Sequence, residues 1–428
     1  MRGLGSIAPL ALLAVSGLGT TASAAPAPNA GPRCVVIRGA TLPHADGERV
    51  VTVVVRGSKI AAVSVLGADA PGCDVVEATG KTLTAGMVDP NTQLGLVEVS
   101  LEAATVDTDL KAPFQGASGE IRASVRADYA YNPRSSLIAV TRLEGVTSAV
   151  SVPAGGVVSG RSFWVDLGGT RQADAIQRAP LAMHASLGSR GPSRATAFHT
   201  LDVALREALD LAARRRAWEQ NRTPAYLLPR FELEALLPVA KGEIPLVVGV
   251  GRAADIEGVL RMTEGTAVRL VIAGGAEAWL VRDLLAARDV PVIVDPLTYG
   301  PRGFDQLAAR PDNAALLHEA GVRVMFSTFS THHARKLRQV AGNAVRGGMP
   351  HQAALDAVTR VPAEVFGMKD HGRVEVGAVA DLVLWSGDPL ELSTRVEALW
   401  IHGQRLPLTS RQTALRDRYR HLPRRPAP

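Results

Sequence analysis

From Phe231 onward the chain alternates two kinds of segment, and that alternation limits the folds open to it. FELEALLPVAK, AADIEGVLRMTE, AEAWLVRDLLAARD and NAALLHEAG carry apolar residues at helical spacing. Between them run IPLVVGV, AVRLVIAG, VPVIVDP and VRVMFST, each an unbroken apolar stretch. A strand that is apolar on both faces is buried on both, as in a parallel sheet covered by helices. HTLDVALREALDLAARRRAWEQN is the longest expected helix, with Leu201, Leu205, Leu209 and Ala212 on one stripe. Upstream, GMVDPNT, GVTSAVSV, SFWVDLGG and PLAMHAS have strand character. Eight strands over roughly 285 residues predict an α/β fold with a (β/α)8 TIM-like barrel, typically about 250 residues long. A doubly wound sheet is the competing architecture.

The two ends of the chain share a different style. CVVIRGATL, RVVTVVVRGSKIAAVSVLG and CDVVEATGKTL near one end, RVEVGAVADLVLWSG and VEALWIHGQRLP near the other, are short, Val-rich and broken by glycine. They read as strands, with Gly57 and Ser58 in a hairpin turn. Short strands need partners to bury their apolar faces. One β-sandwich built from residues 33–85 and 373–408, around a barrel at 86–372, satisfies both sets. At 428 residues and 46% hydrophobic content the chain can fill such a core.

Residues 1–24 read as a cleaved export signal. Arg2 precedes the apolar run IAPLALLAVSGLG, which is too short for a stable span, and small residues follow. The expected location is therefore periplasmic or extracellular, with no membrane span in the mature chain. The sequence pI of about 9.6 comes largely from a basic tail at 409–428, where six arginines face Asp417. The remaining body is close to neutral, and aromatics make up 4%. That excludes the basic stripe and stacking platform of a nucleic-acid binder. Cys34 and Cys73 fall in the same N-terminal module. In an oxidising compartment they form either a bridge or two separate buried thiols.

The stretch GKTLTAGMVDPNTQLGL, Gly80 to Leu96, runs a linker into a buried strand whose end is polar. Asn91 and Gln93 are two apart and so project to one side. It resembles the first barrel strand of the amidohydrolase superfamily, in which two histidines hold a catalytic metal at the positions of Asn91 and Gln93. The late segment with Gly377, Ala380, Asp381, Leu382 and Val383 resembles that family's return to the sandwich. EGVTSAVSVPAGGVVSG, IAGGAEAW and HHARKLRQVAGNAVRGGMPHQAALDAVTRVPAEVFG resemble the exported imidazolonepropionase-like branch. The resemblance implies metal-assisted hydrolysis of non-peptide C–N bonds, with an aspartate at the last strand moving the proton. Departures from the pattern are consistent. Gly249 and Gly251 precede Arg252, Gly274 and Gly275 stand on the sixth strand, and Phe329 and Ser330 occupy the region of the expected aspartate. Carboxamides are poor sole ligands for zinc.

These departures set the expectations. The pocket candidates are Asn91, Gln93, Glu98, Arg252, Ser330 and His332. Glu102, Asp107, Asp109, Asp128 and His333 lie in loops nearby, and the acids can equally be solvated charges while one histidine caps the next helix. Asp89 is expected to be structural. His184 points into the barrel or is a hydrogen-bonded core residue. No catalytic residue is assigned. No cofactor is expected, unless the alternative holds and a divalent metal such as zinc is bound. The chain then reads as a metal-free pseudoenzyme or small-molecule-binding protein. The alternatives are an active amidohydrolase with rearranged ligands, or a structural partner of a related chain. A homo-oligomer is also open. PAGGVVSG lacks the Lys-Ser/Thr of a phosphate loop, and no G-x-S-x-G elbow is present.

Overall fold

The computed structural model describes residues 34–44, 46–65, 67–68, 70–108, 120–187 and 193–420. The expected export signal at residues 1–24, the end of the basic tail at 421–428 and Asp109 lie outside the described residues. The chain begins with strands β1 (Cys34–Leu42), β2 (Arg49–Arg56), β3 (Lys59–Ser64), β4 (Asp74–Glu77) and β5 (Thr82–Ala85). Then come β6 (Met87–Thr92), β7 (Val146–Ser151), β8 (Val158–Arg161), β9 (Phe163–Asp166), β10 (Ile176–Arg178) and β11 (Met183–Ser186). β12 (Leu246–Val250), β13 (Leu270–Gly274), β14 (Val292–Val294) and β15 (Val324–Phe326) follow, and β16 (Leu382–Trp385), β17 (Val396–Ile401) and β18 (Gln404–Arg405) close the series.

Both chain ends enter one sheet. Its order is β18-β17-β16-β5-β1-β2-β3, with β4 paired to β1 on the side. The seam between the two ends is β16 against β5, antiparallel, with Leu382 opposite Ala85 and Trp385 opposite Thr82. Val35, Ile37, Val53, Val55, Ile60, Leu83, Leu382 and Trp400 form its own apolar core. β4 lies parallel to β1 with Asp74 opposite Val35, which brings Cys73 beside Cys34. The two cysteines are bonded as a disulfide.

Only Gly86 separates β5 of this sheet from β6 of the barrel. A Cβ there would sit 2.0 Å from Thr147 Oγ1, so the close approach of β6 to β7 requires glycine. Strands β11 to β15 are parallel neighbours in sequence order, and β6 is parallel to β7. Val88, Val150, Trp164, Val247, Val271, Ile293 and Met325 fill the interior of the barrel. Residues on the opposite faces, such as Met87, Val248, Ile272 and Val292, pack against the outer helices. Fully burying one such side chain contributes about 1.5–3 kcal/mol. β15 returns to β6 through side chains: Ser327 donates to Asp89 Oδ1 at 2.6 Å.

One strand departs from the expected all-parallel barrel. After β7 the chain turns back within Val152–Val157 and returns as β8 and β9. These run antiparallel to β11 and β7 respectively. A parallel connection needs a crossover of a dozen or more residues, commonly through a helix, and none is present between β7 and β9. The third strand position is thus reversed, and Asp166 at its far end lies level with the starts of β6 and β7. There Leu167 N donates to Thr147 O at 2.8 Å.

The long helix spans Arg194–Glu219 and buries Leu201, Leu205, Ala208 and Leu211. Arg411–Arg420 forms a helix with no buried residue. Among the described residues no helix is long and apolar enough to cross a membrane.

Candidate functional site

The ends of β6, β11, β12 and β13 open onto a cavity of about 520 Å³. Asn91 and Gln93 both line it, together with Thr92 between them at the end of β6. Opposite them stand Ser159, His184, Ser186, Asp305, Gln306 and the backbone at Gly249 and Gly274. Two buried polar atoms in this wall, Thr92 Oγ1 and Gln306 Oε1, have no hydrogen-bond partner in the structure. His184 is buried, and its Nε2 lies 2.9 Å from Ser162 Oγ. Burial pushes its pKa down to about 3, so the ring is neutral at physiological pH. Asp305 is paired with Arg194.

The other candidates stand apart from this cavity. Arg252 occupies the N-cap position of helix Ala253–Met262. Glu98 accepts from Ser136 N at 3.0 Å and from its hydroxyl. Burial opposes ionisation of Glu98, but hydrogen bonds from Ser135 and Ser136 outweigh it and hold the carboxyl below its usual range. His332 Nε2 lies 3.0 Å from the exposed Ser100 hydroxyl. Ser330 Oγ lies 3.4 Å from His333 N. His333 holds an N-cap position without a side-chain capping bond, so neither histidine caps in the expected way. Glu102 accepts from Ala104 N in its own turn, and Asp128 pairs with Arg126 at 2.5 Å.

The strand-end residue that reaches β6 is Ser327, upstream of Phe329 and Ser330. It lies there because β15 ends at Phe326. Its partner Asp89 is fully buried, and Thr328 Oγ1 lies 3.4 Å from its second oxygen. Burial raises the Asp89 pKa to about 6 against the lowering effect of the hydrogen bonds from Ser327, Asn91 and Thr328.

A second polar cluster lies at the opposite end of the barrel. Asp166, at the end of reversed β9, meets His371 from the loop before the sheet and Asp381 from the residue preceding β16. One ligand atom from each lies within 4.8 Å of the others, and all three residues are buried. His371 Nε2 is 3.6 Å from Asp166 Oδ2 and 4.0 Å from Asp381 Oδ2. These are charge contacts and not hydrogen bonds. His402 Nε2 lies 2.7 Å from Asp166 Oδ2. Burial opposes ionisation of Asp166, yet contacts with His371 and His402 hold its pKa below the usual range. For Asp381, burial and then the charge of Asp166 push the pKa up to about 7. Burial disfavours protonation of His371, but Asp166, Asp381 and Asp370 outweigh it and raise its pKa to about 9.

The expectation that the chain holds no metal is corrected by this cluster. One imidazole and two carboxylates are a suitable donor set for a divalent transition ion. His371 Nε2 and Asp381 Oδ2 are both buried without a hydrogen-bond partner. Sequence reasoning missed the site because nothing in the spacing links positions 166, 371 and 381. Asp381 was visible only as part of the Gly-x-x-Ala-Asp return motif, and Asp166 lay inside SFWVDLGG, which read only as a strand, with no role given to its aspartate.

Residues 304–407 match the family model described as "Amidohydrolase family". The chain is 22% identical over 370 residues to "Amidohydrolase tasK" of Hapsidospora irregularis, covering 77% of this chain. It spans 37% of that relative's length. Among solved structures, an amidohydrolase from Thermotoga maritima MSB8 superposes with a TM-score of 0.77 at 23% identity, covering 87% of this chain and 99% of its own. Molinate hydrolase superposes at 0.52 with 15% identity, covering 88% and 95% respectively. At these identities the solved structures establish the fold.

Proposed function

We propose, for a chain that belongs to the amidohydrolase superfamily, that the barrel mouth takes up a small, neutral, amide-bearing molecule. The observation that carries this is the wall of the 520 Å³ cavity, which is polar through carboxamides and hydroxyls. Among the described residues its one lining carboxylate, Asp305, is already paired with Arg194. Asn91 and Gln93 can each donate and accept, matching the C=O and N–H of an amide. Gln306 Oε1 and Thr92 Oγ1 are desolvated and unpaired, so a ligand that bonds them recovers a cost already incurred on folding. Among the described lining residues no unpaired charge stands ready to offset the desolvation of a charged ligand.

The comparisons favour a second step, hydrolysis of the C–N bond with ligands rearranged from the family pattern. The matched family model and the curated relative carry the amidohydrolase name. The cluster at Asp166, His371 and Asp381 also removes the premise of a metal-free protein. An ion held there would be buried at the opposite end of the barrel from the mouth, out of reach of an amide bound among Asn91, Gln93 and Gln306. The mouth residues themselves bind and orient. Export from the cytoplasm is part of the same reading, supported by the apolar leader and the Cys34–Cys73 bridge.

Calorimetry with a panel of neutral cyclic and linear amides, run beside their carboxylate analogues, tests the binding step. Uptake of amides in preference to carboxylates is expected. Preference for the carboxylates, or no uptake of either class, overturns it. Release of amine or ammonia from a bound amide separates hydrolysis from binding alone.

A further inference from the structure

We propose that Asp166, His371 and Asp381 hold one divalent ion of the zinc class beneath the barrel, and that this ion is architectural, tying the barrel to the sheet. The three donors come from three separate segments: the reversed strand, the loop after helix Arg360–Val365, and the residue that begins the chain's return to the sheet.

Each carboxylate has one oxygen fully engaged and the other turned to His371. Asp166 Oδ1 accepts from Ser148 Oγ at 2.7 Å and from Trp164 Nε1 at 2.9 Å. Asp381 Oδ1 accepts from His402 N at 2.7 Å. His371 Nδ1 lies 3.0 Å from Asp370 Oδ1, which selects the tautomer with the proton on Nδ1. Nε2 then faces Asp166 Oδ2 and Asp381 Oδ2 with a lone pair. Nε2 and Asp381 Oδ2, both buried without a hydrogen-bond partner, then converge with Asp166 Oδ2 on a point where a divalent ion can take the place of a second ring proton. Donors about 2.0–2.2 Å from zinc stand roughly 3.3–3.6 Å apart around a tetrahedron. The observed 3.6 and 4.0 Å approach that spacing. His402 Nε2 meets Asp166 Oδ2 at 2.7 Å and acts as a positioning residue for the carboxylate.

The role follows from access. Asp166, His371 and Asp381 are 1%, 5% and 3% exposed, so a substrate has no route to an ion there. Their strand ends also face away from the mouth. A closed site of this kind stabilises the fold and leaves turnover to other groups.

Metal analysis of the purified full chain after zinc loading and gel filtration is the test. About one equivalent is expected in the wild type and in Asn91→Ala/Gln93→Ala. Near zero is expected in His371→Gln and Asp381→Asn. Cobalt loading of the wild type should give the visible bands of a four-coordinate ion, and chelation should lower its Tm. If both base variants fail to fold, the wild-type cobalt spectrum and chelator response still decide. No retained ion in the wild type overturns the proposal in favour of a bare imidazolium between two carboxylates. Loss of the ion from the mouth variant, with retention in the base variants, overturns it in favour of a mouth site. Failure of amide binding would not bear on either result.

Discussion

At the mouth, Asn91, Gln93, Ser159 and Ser186 surround a cavity, and His184 there is neutral and lies beside Ser162. At the base, Asp166, Asp381, His371 and His402 crowd together with two of their atoms unpaired. The same strands serve both ends, so the difference lies in side chains and in the direction of one strand. In a parallel barrel, strand C-termini collect at one face, and chemistry collects with them. Here β9 delivers its last residue, Asp166, to the other face. The lesson is that the family's fold leaves its chemistry-bearing positions free to carry neutral polar groups while charge gathers where sheet and barrel join.

Removing a base residue should produce the largest effect. Asp166→Ala strips acceptors from Ser148, Trp164 and His402 at once and should cost about 3–5 kcal/mol in urea unfolding. A loss below about 1 kcal/mol would show that the base is no more constrained than the mouth.

The next effect sharpens the contrast by pH. Asp89, beneath the mouth, has its folded pKa raised from 3.8 to about 6, so the fold favours its protonated form. Its contribution is fully present below about pH 4 and lost as pH rises through 6, a change of about 3 kcal/mol. Asp89→Asn keeps an acceptor for Ser327 and should flatten stability over that window, with a net gain at pH 8. An unchanged pH profile would mean the carboxyl is ionised without penalty.

The smallest expected change in stability is at the mouth itself. Gln306→Ala removes a side chain whose buried oxygen is unpaired, so stability should move by no more than about 0.5 kcal/mol. Affinity for the amide found by calorimetry should fall roughly tenfold, about 1.4 kcal/mol. Equal losses in both quantities would erase the distinction between a binding end and a structural end.

Much of the architecture was legible because hydrophobic period is a local property. The apolar runs at β12 to β15 and the Val-rich ends each declare themselves within a few residues. Asn91 and Gln93 do line one cavity, but Thr92 between them lines it too and Gln93 lies beyond the end of β6, so the pleat is not what brings them there. Strand direction is not local in this sense. SFWVDLGG reads the same either way, and only the short return after β7 shows that the strand is reversed. The base cluster was hidden for the same reason, since only the reversal of β9 carries Asp166 to the end where His371 and Asp381 lie. Ser327 was missed because the end of β15 lies a few residues upstream of where the family pattern suggests.

The reversed strand has a kinetic corollary. β7 and β9 pair across residues 152–162 alone, whereas the bond from Ser327 to Asp89 joins positions 238 apart. Closing the shorter loop loses less chain entropy, by about 0.6 kcal/mol for each halving of length. This patch of barrel can therefore form early and wait, with Asp166 already in place, for residues made near the end of synthesis. The last stage of folding is then the docking of the chain's late segment onto a prepared floor.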